Sequence, residues 1–221
     1  MGNSMRVLIA CEYSGTVRDS FISLGHDAIS CDLLESDAPG PHYQGDVRDI
    51  IREPWDAVIA FPDCTYLCGS GWHWVVRGRI EADGRPRMEH VKEALAFARM
   101  FIDGPETAHI KKKAVENPIG RLSTLVRKPD QIIQPHQFGD DASKATCLWL
   151  TGLPRLVALP EDQQAQPRLV TSAGKIVKRW ENQTDSGQNA LPPSSERWKL
   201  RSTTYQGIAD AMASQWGKYN D

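Results

Sequence analysis

Residues 56–64 read Asp56-Ala57-Val58-Ile59-Ala60-Phe61-Pro62-Asp63-Cys64. Five apolar residues in succession, Ala57 to Phe61, predict a strand buried on both faces. Pro62 ends it, because proline has no N–H to give to a ladder. A strand covered on both sides belongs to a parallel sheet with helices above and below. The flanking sequence repeats the pattern. Upstream, residues 6–11 (RVLIAC) predict a first strand. Ser14-Gly15 follows, then Val17, Phe21 and Leu24 at helical spacing, with Ser14 as the expected N-cap. Gly25-His26-Asp27 breaks that helix, residues 27–33 (DAISCDL) predict a second strand ending near Asp32, and Gly45-Asp46 close a short third. Downstream, residues 68–87 read as a loop. Val91, Leu95, Ala98 and Ile102 share one face of a helix over 90–103. Residues 113–116 (KAVE) predict a further strand stopped by Asn117-Pro118, and Lys111-Lys112-Lys113 read as a surface turn leading into it. Strand and helix thus alternate over the first 120 residues, the pattern of an α/β, doubly wound, mostly parallel sheet.

Beyond residue 121 the pattern weakens. Residues 147–150 (CLWL) and 155–159 (RLVAL) are short apolar runs, 160–200 are rich in Gln, Pro, Ser and charge, and 205–216 predict a closing helix. The 221 residues suit one domain, or one domain with a sizeable insertion. At 40% apolar and 24% charged, the composition excludes a disordered chain. No apolar run approaches the roughly 20 residues of a membrane span. With no basic-then-apolar leader, a cytoplasmic protein is expected. Five unevenly spaced cysteines make no disulfide framework. A net charge of −2 excludes a wholly basic nucleic-acid binder but leaves room for a local basic patch.

In a parallel sheet, ligands bind beyond the carboxyl ends of the strands, and the chemically distinctive residues fall there. Glu12, Tyr13, Ser14 and Gly15 follow the first strand, in a turn whose backbone N–H groups could meet a carboxylate or phosphate. Asp32 ends the second strand, where a carboxylate can accept from ribose hydroxyls. Asp46, after the third, could accept from an adenine amino group. The turn has no second or third glycine, so a dinucleotide fingerprint is absent. After the fourth strand come Pro62, Asp63 and Cys64, a thiol in a turn with Thr65 and Tyr66. After the fifth come Glu116, Asn117 and Pro118. A thiol facing a carboxyl suits attack on an electron-poor ring, with the acid protonating a ring nitrogen.

Strand-Pro-x-Cys, then strand-Glu-Asn-Pro, after an adenosine-type half-site, resembles the cytosine-C5 DNA methyltransferases. Residues 201–217 resemble the last motif of that family, and residues 143–154 and 184–193 resemble small phage- or prophage-type methyltransferase-like proteins. The resemblance implies a Rossmann-like class I methyltransferase fold and S-adenosylmethionine as cofactor. Residues 1–125 would be the cofactor-binding and catalytic core, 126–200 a reduced target-recognition region, and 201–221 a helix returning to the core. Cys64 would add to C6 of a flipped cytosine in DNA and Glu116 would protonate N3. Glu12, Tyr13, Ser14, Gly15 and Pro62 would line the cofactor site, with Asp32 on the ribose and Asp46 on the adenine. Thr65, Trp72, Trp74, Arg77, Asn117, Lys144, Arg179 and Arg197 would face substrate.

The sequence departs from that family in three places. The first turn is Cys-Glu-Tyr-Ser-Gly in place of a phenylalanine and several glycines. Asp63 replaces the second proline before the nucleophile. A Gln-x-Arg-x-Arg motif is absent, with Gln134, Gln137 and Lys144 the nearest residues to it. Residues 168–201 carry a net +4 with Trp180 and Trp198 among them, a composition that suits a phosphate backbone and unstacked bases and equally a solvated loop. Cys64, Cys68 and His73 lack a second ligand pair at zinc-finger spacing, so no metal is expected. Two rival functions follow: one-carbon modification of a free pyrimidine nucleotide, which the short recognition region favours, and a non-catalytic binding module, which the altered first turn favours.

Overall fold

A computed structural model describes residues 4–218. Seven strands form one sheet: β1 (Arg6–Ala10), β2 (Asp27–Asp32), β3 (His42–Gln44), β4 (Ala57–Ala60), β5 (Lys112–Pro118), β6 (Gln131–Ile133) and β7 (Thr146–Thr151). Their order is β3-β2-β1-β4-β5-β7-β6. The first five run parallel, and β7 lies antiparallel to both β5 and β6. This α/β, mostly parallel sheet keeps the order of nucleotide-binding sheets, with one reversed strand inserted before the edge. The chain leaves β1 toward β2 and later returns to place β4 on its other side. The carboxyl ends of β1 and β4 therefore flank the point where strand order reverses, the crevice in which such sheets bind ligands.

Alternation along each strand feeds two cores. Val7 and Ile9 of β1 pack with Ile59 toward one face, against Val17 and Phe21 of α1 (Thr16–Ser23) and Ile208, Met212 and Trp216 of a closing helix, Gln206–Trp216. Leu8 and Ala10 point the other way with Val58 and Val115, under Ala98, Phe101 and Ile102 of a long helix, Arg87–Ile102. Beside the edge strand β6, the Gln131 amide donates to the Leu156 carbonyl at 2.7 Å and accepts from the Leu156 N–H at 2.8 Å. The 155–159 segment is thus held by a side chain and forms no strand.

Several local expectations are corrected. The 68–87 segment contains a short helix, α2 (Trp72–Val76). The long helix, α3, starts earlier than residue 90, at Arg87. Lys113 is buried, its ammonium donating to the Thr107 hydroxyl at 3.1 Å. The polar 160–200 stretch holds a hairpin, β8 (Arg168–Ser172) and β9 (Lys175–Arg179). A short α4 (Leu122–Leu125) follows β5, and α5 (Arg197–Ser202) precedes the closing helix, α6. Among the described residues, no helix is long and apolar enough to cross a membrane.

Arg18 is the least expected core residue. A helical arginine three residues past Gly15 reads as a surface group, yet it is fully buried. Its guanidinium donates to Asp19, to the hydroxyls of Ser30 and Ser36, and to the carbonyls of Ala38 and Pro39. It therefore ties α1 to β2 and to the loop after β2. Glycine is required on both sides of it: a Cβ at Gly15 or Gly40 would fall 2.5 or 2.8 Å from guanidinium atoms.

Candidate active site

The first turn begins at Cys11, which adopts a left-handed φ of 60°. A residue with a Cβ pays roughly 1–2 kcal/mol for that conformation. The kink turns Glu12 inward, where it is buried. Its carboxylate accepts from the N–H groups of Val17 at 2.7 Å and Arg18 at 3.2 Å, and from the Ser14 hydroxyl at 3.2 Å. The N-cap of α1 is Gly15, not Ser14, and no side chain at that position caps it. Glu12 does so from outside the helix, engaging the N–H groups that the turn was expected to offer a ligand. Burial raises the Glu12 carboxyl, and these hydrogen bonds oppose the rise. Tyr13 is buried, its hydroxyl donating to the Lys199 carbonyl at 3.1 Å and lying 2.9 Å from the Ser202 hydroxyl. It anchors α5 against the first turn.

Asp32, half-buried, accepts from the Leu34 N–H at 3.0 Å through Oδ1. Burial raises its carboxyl. Asp46 is engaged at both oxygens by Arg48, through its N–H at 2.9 Å and its guanidinium at 2.8 Å. Burial and then the charges of Asp32, Cys31, Asp46 and Asp63 push the Cys11 thiol well up. Three carboxylates from three different strand ends thus bear on one position, and the crevice at the switch point is acidic.

Past β4, Pro62 is buried and Asp63 exposed. Asp63 Oδ1 accepts from the Thr65 N–H at 3.0 Å and the Thr65 hydroxyl at 2.7 Å, which forms a tight turn. Cys64, half-buried, closes that turn by accepting the N–H groups of Leu67 and Cys68 at its carbonyl. The end of β5 is fastened to this loop in two ways. The buried Asn117 amide donates to the Pro62 carbonyl at 2.8 Å. The Arg121 N–H donates to the Leu67 carbonyl at 2.7 Å, an approach that Gly120 permits, since a Cβ there would lie 2.3 Å from the Leu67 oxygen. A third tie comes from Arg87, which donates to the Thr65 carbonyl at 3.1 Å and lies 4.8 Å over the Tyr66 ring. Asn117 thus faces the loop and not the solvent. Asn117→Ala should cost about 1–3 kcal/mol, the penalty of leaving the buried Pro62 carbonyl unpaired. Urea unfolding would measure it.

These ties bring Cys64 and Glu116 to one side of the crevice. Burial pushes the Cys64 thiol up to about 11, Asp63 and then Glu116 add to the rise, and the Lys144 ammonium opposes it. Glu116 is half-buried by its exposed area, yet burial is still the main cause of its raised carboxyl, against which Lys144 and a hydrogen bond from Thr146 act. Lys144 is the cation common to both. Gln134 and Gln137, the other residues considered for the missing arginine motif, have structural places. Each caps the other across a short turn, and Gln134 Oε1 accepts the Lys144 N–H at 2.9 Å. The Lys144 ammonium donates to the Arg201 carbonyl at 3.0 Å.

Around the mouth, Thr65 is exposed, Trp72 stacks under the Arg121 guanidinium at 4.0 Å, and Trp74 is exposed with Arg79 and Arg77 at 5.0 and 5.9 Å from its ring. Arg179 and Arg197 lie apart from this cluster. Arg179 donates to the carbonyls of Asp185 and Lys178, and Arg197 to that of Leu191. Two open grooves, of about 660 Å³ beside α3 and about 540 Å³ between α1 and α6, include neither Cys64 nor Glu116 in their linings. Sequence reasoning missed Arg18 and Arg87 because nothing in the local pattern marks an arginine for burial. No protein-family model matches the chain, and no curated protein matches it.

Proposed function

We propose that this chain is an S-adenosylmethionine-dependent methyltransferase acting on C5 of cytosine in DNA, with Cys64 as nucleophile and Glu116 as acid. The observation that carries it is the fastening of the Cys64 loop to the end of β5, which bears Glu116, by Asn117 and Arg121, on strands that are neighbours beside the switch point. The acidic crevice formed by Asp32, Asp46 and Asp63 supports the cofactor, because a cationic sulfonium and ammonium are favoured there. Asp32, which accepts from the backbone N–H groups of Leu34 and Leu33, would receive the ribose hydroxyls. Glu12 does not offer the first turn to a ligand carboxylate, so Asp32 and the loop held by Arg18 carry the binding. When bound, S-adenosylmethionine supplies the electrophilic methyl group that an activated C5 takes.

The chain's own residues do the rest. Cys64 as thiolate adds to C6, and Glu116 gives its proton to N3, so that the electron pair of the C5–C6 bond collects on C5. After C5 is alkylated, a solvent water takes the C5 proton, the freed electron pair restores the C5–C6 double bond and the C6–S bond breaks to release Cys64 as thiolate, while N3 returns its proton to Glu116. Trp72 and Trp74 border the loop as platforms for bases outside the stack, whose extrusion costs a few kcal/mol.

The reacting pair has a distinctive pH signature. Addition needs the thiolate together with the protonated carboxyl. The thiol holds its proton more tightly than the carboxyl, so the reactive pair is the minor arrangement of one shared proton. Its population does not change with pH between the two values. The profile of kcat/KM should be flat from the raised carboxyl value of Glu116 up to about 11, the value of Cys64, and fall on either side. Asp63→Asn removes a carboxylate that disfavours the thiolate. It should raise the plateau about threefold and move the alkaline limb down by about half a pH unit. A plateau unchanged in that variant would show that Asp63 does not act on the thiol.

The function itself is tested with tritiated S-adenosylmethionine and three acceptors: duplex DNA, single-stranded DNA and dCMP. Label in DNA and a denaturation-resistant complex with 5-fluorocytosine DNA are expected. Label in dCMP alone gives the free-nucleotide function. No label, with no cofactor binding by calorimetry, gives a binding module.

A further inference from the structure

The β8–β9 hairpin pairs with no other strand of the described residues. Each strand has five residues, so the ribbon is about 17 Å long, and a two-stranded ribbon is marginal on its own. Val170 and Val177 lie on a half-buried face, while Leu169 and Ile176 on the other are 67% and 75% exposed. The turn, Ala173-Gly174, has positive φ at both residues, as a tight two-residue hairpin requires. Such a turn closes with a bond from the Lys175 N–H to the Ser172 carbonyl. By alternation from Ser172–Lys175, Val170–Val177 and Arg168–Arg179 are the other hydrogen-bonded pairs. The N–H and C=O groups of Leu169 and Thr171 therefore point away from β9, and among the described residues no backbone group outside the ribbon bonds them.

The two edges of the ribbon differ in charge. β9 carries Lys175, Lys178 and Arg179. Cations of this kind keep an exposed edge strand from pairing. β8 carries only Arg168, at the root of the ribbon, where Asp185 pairs with it. From Leu169 to Ser172 it has no charged residue. One edge is thus guarded and the other is open, with its spare donors and acceptors in place.

We propose that β8 pairs with β8 of a second copy of this chain, antiparallel about a two-fold axis at Val170, so that two ribbons form one four-stranded sheet across a dimer. In that register Leu169 of each copy faces Thr171 of the other, and the spare backbone groups of both are satisfied. Arg168 faces Ser172, so no like charges meet. Pairing through β9 about Val177 would instead set Lys175 against Arg179, which is destabilising. In the β8 pairing the two β9 strands lie outermost, about 14 Å apart. That exceeds the Debye length of about 8 Å at physiological salt, so their cations are screened from one another. The roots fall at opposite ends of the sheet, which keeps the two bodies apart. The contact is isologous and closes at two copies, and the guarded β9 edges stop further growth. A nucleic acid or an anionic membrane would engage the cations of β9 and leave the uncharged edge of β8 without a role.

The test is analytical ultracentrifugation of the full chain, without cofactor or DNA, over a concentration series. A single strand pair is a small interface, so the dimer is expected at high concentration. A chain that stays monomeric up to about 1 mM would overturn the proposal. Leu169→Lys with Thr171→Lys sets lysine against lysine twice and should weaken dimerisation about tenfold. Leu169→Glu with Thr171→Glu should do the same. Both positions are exposed, so these variants fold. An equimolar mixture of the two should dimerise again, each lysine facing a glutamate. A mixture no more associated than its components, or a dimer unaffected in either variant, places the interface elsewhere and ends the proposal. Val170 meets its own counterpart in a non-hydrogen-bonded pair with Cα atoms about 4.5 Å apart, within reach of a disulfide. Val170→Cys treated with diamide should give a dimer linked from 170 to 170, identified by peptide mass, and Val177→Cys should not; the opposite result would assign pairing to β9 and refute this arrangement. Association seen only when duplex DNA is added would give the ribbon to nucleic acid and equally refute it.

Discussion

Cys64→Ala should lose methyl transfer to DNA by a factor of about 10⁴ or more, the scale on which enzymes fail when a covalent nucleophile is removed. The reason lies in the pyrimidine. C5 of cytosine is not nucleophilic until a group adds at C6, and no other thiol is placed to add there. Cys11 packs against the core and is pushed well up by burial, Cys31 and Cys147 are buried, and Cys68 lies one turn further on, 3.2 Å from the Ser70 hydroxyl. The cysteine side chain itself makes no hydrogen bond that the fold needs, so the variant should unfold at the same urea concentration and bind cofactor as before. Radiolabel transfer and trapping on 5-fluorocytosine DNA read the loss. Turnover retained in Cys64→Ala would remove the covalent mechanism. Glu116→Gln should lose less, about 10² to 10⁴, because an amide can still donate to a pyrimidine acceptor but cannot give up a proton.

Arg18→Ala should destabilise the fold by about 3 kcal/mol or more, the range expected when a buried, fully bonded charged group is deleted and its partners are left unpaired. At this chain length that is a fall of about 10 °C in Tm. The loss is not confined to stability. Ser30, Ser36 and the carbonyls of Ala38 and Pro39 all lose a donor, so the loop after β2, next to Asp32, is released. Cofactor affinity should fall with it. Arg18→Lys keeps the charge but cannot reach five acceptors with one ammonium, and should recover only part of the loss. Differential scanning calorimetry with and without cofactor separates the two effects. An unchanged Tm in Arg18→Ala would mean that the buried guanidinium contributes nothing net.

The sheet was legible because its strands are short apolar runs that end at proline or an acidic turn. Pro62 marks the end of β4 as clearly as any helix cap, whereas Asn117-Pro118, expected to stop β5, stay in the strand and pair with Cys147 and Thr146 of β7; in a parallel sheet the carboxyl ends of strands share one edge. That is why Cys64, Glu116 and Asp32 are legible in the sequence as residues of one sheet edge. What sequence left hidden was decided by contacts between distant segments. Arg18 and Lys113 carry charge and so read as surface, but each finds its acceptors inside the fold. Asn117 read as a substrate contact because its partner, the Pro62 carbonyl, is fifty-five positions away. The β8–β9 ribbon was missed because its strands alternate polar with apolar residues too briefly to set a period, and its Ala-Gly turn lacks the Asn-Gly signature of a hairpin. The five-residue α2 is shorter than any window in which helical periodicity can be counted.

Glu12 has one more consequence. In sheets of this order that bind NAD or ATP, the opening of the first helix grips a pyrophosphate through bare amides. Here a carboxylate built into the polypeptide already sits on those amides, so a phosphorylated nucleotide arriving there would meet a fixed negative charge in place of free donors. Under the proposed function, the crevice would discriminate among adenosine-bearing metabolites by their tails, favouring a zwitterion with positive sulfur over polyanions.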